Sequence, residues 1–112
     1  MPRRKRPVRK TPQRKPKPLA PSFVLRYADV EIHETAYKHG VSTLDIHHVC
    51  ANSSDIFELD QESYEIKILI IGPDSAGNLL EVIGLEINNQ SLLIIHAMKI
   101  RKSVMNLVEG RS

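Results

Sequence analysis

Between Asp55 and Ala97 apolar side chains recur at every second position, and turn residues interrupt the run in three places. Period two is strand geometry, because successive side chains on a strand point to opposite faces. Ile56–Leu59 reads as one strand, Tyr64–Ile71 as a second, Leu79–Ile87 as a third and Ser91–Ala97 as a fourth. Asp60–Ser63, the loop Gly72 to Asn78, and Asn88-Asn89-Gln90 separate them. These separators are rich in Gly, Pro, Asn, Asp and Ser, the residues that turns favour. Strands joined so tightly fold back on one another, which predicts an antiparallel meander.

Helical signals flank this stretch. His33–His39 reads as a short helix, and Gly40 stands where a helix end favours positive φ. Ser42-Thr43-Leu44-Asp45 resembles a capping box with Asp in the place of Glu. A helix is therefore predicted from Thr43 to about Ala51, with Ile46, Val49 and Cys50 as its inner stripe. Phe23–Ile32 alternates at Phe23, Leu25 and Tyr27 and reads as a short strand or a lead-in segment. Met98–Val108 reads as the last helix, with Val104, Leu107 and Val108 on one face and Gly110 ending it. The predicted class is α+β: two short N-terminal helices, a four-stranded, mainly antiparallel sheet and one C-terminal helix, all within residues 22–112.

Charge divides the chain differently. Residues 1–18 hold nine Lys or Arg and no acid, whereas the rest holds seven Lys or Arg and all 13 Asp and Glu. Six of the seven prolines fall within residues 1–21, and proline fixes φ and lacks an amide donor. With few apolar groups to offset ordering entropy, residues 1–21 read as a disordered basic arm able to form neither helix nor ladder. Arg3, Arg4, Lys5, Arg6, Arg9, Lys10, Arg14, Lys15 and Lys17 are its expected phosphate contacts, to RNA or DNA. The arm has no aromatic residue to stack on a base, so no base preference is expected. At 112 residues there is room for one domain. The single cysteine, Cys50, cannot form an internal disulfide, which fits a reducing compartment. The apolar run Ile68–Ile71, broken by Gly72-Pro73, is far short of a membrane span, and a soluble cytoplasmic chain is expected.

Four motifs follow in order: Lys38-His39-Gly40-Val41-Ser42; Ile71-Gly72-Pro73-Asp74 leading into Gly77-Asn78-Leu79-Leu80-Glu81-Val82; Ile94-Ile95-His96-Ala97-Met98; and Lys99-Ile100-Arg101-Lys102. In this order they resemble the BrnT-type toxins of bacterial type II toxin–antitoxin pairs, over roughly Ile32 to Leu107. The resemblance implies a RelE-like fold and a metal-independent ribonuclease that blocks translation. It also implies a cognate antitoxin protein that covers the toxin. The arm lies outside the resemblance.

Cleavage of RNA by side chains needs a base for the 2′-hydroxyl, a cation for the charge developing on phosphorus and an acid for the 5′-oxygen. His96 ends a predicted strand, and Lys99, Arg101 and Lys102 follow it closely. Glu81 falls on the same side of its strand as Leu79, Ile83 and Leu85; a carboxyl among apolar neighbours should have a raised pKa and could carry a proton. The expected catalytic set is His96, Glu81, Arg101 and Lys99, with Lys38, His39 and Lys102 as further nucleic-acid contacts. Cations in the first turn oppose the helix dipole, a local conflict that favours a functional role. The alternative is structural: Glu81 pairs with Arg101 or Lys99, and the chain is a non-catalytic binding module with a nucleic-acid-binding arm. Asp55, Glu58, Asp60, Glu62 and Glu65 cluster on one hairpin and would repel phosphate. His47 and His48 are adjacent on a helix and cannot share a metal as an i, i+4 pair can, so neither metal nor cofactor is expected.

Overall fold

The computed structural model describes residues 16–59 and 64–110. Among these residues the strands are β1 (Lys17–Leu19), β2 (Asp29–Ile32), β3 (Asp55–Leu59), β4 (Lys67–Pro73), β5 (Leu79–Asn88) and β6 (Ser91–Lys99). They form one sheet in the order β1-β3-β4-β5-β6-β2. The middle strands make the antiparallel meander, whereas β2 runs parallel to β6 along one edge. Helix α1 (Thr43–Ala51) covers one face and α2 (Lys102–Glu109) the other. The class is α+β.

Alternation along the strands divides the core. Ile68 and Ile70 of β4 and Val82 of β5 join the cluster containing Ile46, Val49 and Cys50 of α1. Leu69 and Ile71 of β4 join Phe57 of β3 and Val104 of α2 in a second cluster, with Leu107 and Val108 packed against it. A helix as short as α2 is marginal alone, so this burial holds it. Ser42 caps α1 by accepting a hydrogen bond from the Asp45 amide at 3.1 Å. Gly40 takes φ +81° just before that cap, as its place in the sequence requires. At Gly72 a Cβ would lie 3.1 Å from the carbonyl oxygens of Val49 and Asn52, so glycine permits β4 to pass close to the end of α1.

The sheet has six strands, not the four read from the sequence, and both additional strands are edges. Lys17–Leu19 forms β1 inside the segment expected to form no ladder, pairing antiparallel with β3. Proline is tolerated there because an edge strand can turn its donor-less nitrogen away from the sheet. Leu19 adds apolar burial against the α1-side core. The segment 33–39 is not a regular helix. It is a 3-10 turn, Glu34–Tyr37, which the His33 ring caps by accepting from the Thr35 amide at 3.1 Å. The Phe23–Ile32 segment divides into a 3-10 turn, Phe23–Arg26, followed by β2. The last helix begins at Lys102 instead of Met98, because pairing with β5 holds the chain extended through Lys99. The predicted turn Asp60–Ser63 lies outside the described residues.

Candidate active site

Strands β5 and β6 bring Glu81 and His96 to the sheet face that α2 covers. Glu81 stands opposite Met98, and His96 opposite Ile83, so the two are diagonal neighbours on one face. The register shifts between Ile83 and Gly84, where β6 carries one residue more than β5. Such a bulge re-aims the side chains beside it. Thr35 of the 3-10 turn donates to the Ile95 carbonyl at 2.9 Å, tying residues 33–40 to this part of β6. That tie carries His39 to the site, where its ring centroid lies 5.8 Å from that of His96, edge to face.

Glu81 is fully buried, yet its carboxylate is well supplied with donors. The Arg101 backbone amide donates to Oε2 at 2.9 Å. The Arg101 guanidinium donates to Oε1 from Nε at 3.0 Å and from Nη2 at 2.6 Å. His96 Nε2 lies 3.1 Å from Oε1. An ionised carboxylate only accepts, so His96 is the donor and the lone pair of its neutral ring falls on Nδ1. The Arg101 side chain is 53% exposed and that of His96 23%, so both reach solvent from a buried anchor. Nη1 of Arg101 makes no hydrogen bond to Glu81 and is available to an incoming anion.

The expected rise in the Glu81 pKa is overturned. Burial does push it up, but the hydrogen bonds from the Arg101 side chain and backbone and from His96, with the Arg101 charge, hold it below the ordinary glutamate value. Glu81 is an anion that positions its neighbours, not a reservoir of protons. It also resolves the conflict with the α2 dipole: Arg101 is the N-cap, and a buried carboxylate lies at its amide where negative charge is favoured. The same pairing raises the pKa of Arg101.

Lys99 does not join the set. It stands opposite Leu80, one residue out of phase with Glu81, and therefore on the α1 face. Lys102 is exposed at the start of α2, and Lys38 is exposed beside His39. Lys17 sits opposite Glu58 in β1, at the sheet edge remote from β6, where a cross-strand charge pair is its simplest role. Arg3 to Lys15 lie outside the described residues. His48 bonds the Pro73 carbonyl through Nδ1 at 2.8 Å on the other side of the sheet, and His47 is exposed. Among the described residues no three His, Cys, Asp or Glu side chains are placed to hold a metal ion. Two surface hollows, of about 240 and 180 Å³, border Pro21, the smaller also β1, and are not lined by these residues.

His39 is the residue whose place the sequence undervalued. Its motif was visible between Lys38 and Gly40, but nothing in the spacing pairs it with His96. No family model matches the chain, and comparisons with curated proteins and with solved structures find no match.

Proposed function

We propose that this chain is a toxin-like ribonuclease, a divergent relative of the BrnT type, that cleaves RNA with side chains and is neutralised by a cognate antitoxin protein. The convergence of Glu81, His96 and Arg101 supports this reading most. In it, Arg101 grips the scissile phosphate and stabilises the charge that builds on its oxygens. His96 takes the 2′-hydroxyl proton at Nδ1. Glu81 fixes the ring tautomer and stabilises the imidazolium as it forms, the role a buried carboxylate plays beside other catalytic histidines. The basic arm supplies sequence-independent affinity for nucleic acid.

A second reading draws on the acidity of the body, where beyond residue 18 seven Lys or Arg face 13 Asp or Glu. In that reading Glu81 and Arg101 only anchor α2, and the chain is a binding module. Expression in a bacterial host separates the two. Growth should stop with the wild-type chain and continue with His96→Ala or Arg101→Ala. Normal growth while folded wild-type protein accumulates contradicts the toxin reading.

A further inference from the structure

Cleavage through a 2′,3′-cyclic phosphate leaves a charged 5′-oxygen that needs a proton, and none of Glu81, His96 and Arg101 supplies one. Glu81 is held ionised, and arginine does not give up its proton in proteins. His96 is occupied with the 2′-hydroxyl. One further titratable ring reaches the same place: His39, edge to face with His96 at 5.8 Å between centroids. Its ring is exposed and makes no hydrogen bond among the described residues, so its N–H can be offered to a substrate. Its position is nonetheless defined. Thr35 pins the preceding turn to Ile95, and the Gly40 amide closes that turn onto the Tyr37 carbonyl at 3.0 Å.

We infer that His39 is the general acid of the site, a proposal that rests on the ribonuclease reading. The 2′-oxygen attacks phosphorus while its proton passes to His96 Nδ1. The bond from phosphorus to the 5′-oxygen breaks with its electron pair going to oxygen, and a proton from the His39 imidazolium completes the 5′-hydroxyl. The products are a 2′,3′-cyclic phosphate and a 5′-hydroxyl end, with His96 charged and His39 neutral. The asymmetry between the rings assigns the roles. The ring backed by a carboxylate is fixed with its lone pair outward, ready to accept, whereas the exposed His39 ring makes no hydrogen bond among the described residues and can donate to a substrate.

The test uses the full chain and two RNA substrates that differ in one atom, the bridging 5′-oxygen being replaced in the second by sulfur. A thiolate leaves without protonation, so loss of the acid is silent on that substrate. His39→Gln should slow cleavage of ordinary RNA by about 10²–10⁴-fold, the usual worth of a general acid. On the sulfur substrate it should match wild type, while His96→Ala stays impaired on both. Equal impairment of His39→Gln on both substrates, or its full activity on ordinary RNA, overturns the assignment. Wild-type protein that cleaves neither substrate overturns the ribonuclease reading itself, and the assignment with it. Circular dichroism of His39→Gln guards against misfolding. Should that variant not fold, His39→Asn is assayed in its place with the same outcomes decisive.

Discussion

At Glu81 two opposed effects act on one carboxyl: burial favours the neutral acid, and the Arg101 guanidinium and amide favour the anion. The anion prevails, so the folded state binds the Glu81 proton more weakly than the unfolded chain does. The stabilisation is present above the unfolded value and is lost as pH falls through the lower folded one. Glu81→Gln should cost about 1.5–3 kcal/mol at neutral pH, the worth of charged hydrogen bonds. In urea titrations at successively lower pH that cost should shrink; one that stays constant to strong acid contradicts the ionised assignment. Cys50 illustrates burial unopposed. Its thiol is pushed up to about 11, so little thiolate exists at neutral pH. A thiol reagent should label Cys50 only once the chain is unfolded, and rapid labelling of native protein would show the site to be open.

Among the elements, α1 was legible almost residue for residue, because its cap at Ser42, its stripe Ile46-Val49-Cys50 and the preceding Gly40 are all local signals. The middle strands were legible for the same reason, except that β4 runs Lys67–Pro73 instead of Tyr64–Ile71, because pairing with Leu80 and Leu79 draws Gly72 and Pro73 out of the loop and into the ladder. The edges were not. β1 exists because β3 offers it a ladder, and β2 because β6 does, and neither partner is visible from Lys17–Leu19 or Asp29–Ile32 alone. Of the site, Glu81 was readable as an acid inside a strand, and His96 and Arg101 as residue types near a strand end and a helix start. The contact of His39 with His96 was not, because it depends on how the 3-10 turn lies along β6. Packing between elements gives its own prediction at Gly72, where β4 passes the backbone of α1. That backbone cannot rotate aside as a side chain could, so Gly72→Ala should destabilise by about 1–3 kcal/mol in chemical denaturation. An unchanged midpoint would mean that the helix end yields freely.

In the whole molecule, affinity and chemistry are assigned to different parts. Among the described residues no helix is long and apolar enough to cross a membrane. The cations Arg3 to Lys15 precede the sheet in sequence, whereas Glu81 and His96 lie on the face that α2 covers, with Arg101 at the start of that helix. Removing residues 1–15 should weaken binding to single-stranded RNA and flatten its salt dependence by about 0.7 in log–log slope for each cation engaged. It should leave the fold intact, since β1 begins at Lys17. A deletion that leaves the slope unchanged would place the nucleic-acid contact on the body instead. The most direct test of the ribonuclease reading follows purified full-length chain acting on RNA, with the ends of the products identified. The expected result is fragments carrying 2′,3′-cyclic phosphate and 5′-hydroxyl ends, with Arg101→Ala slower by about 10²–10³-fold. RNA left intact by folded wild-type protein, or cut equally well by Arg101→Ala and His96→Ala, would contradict it.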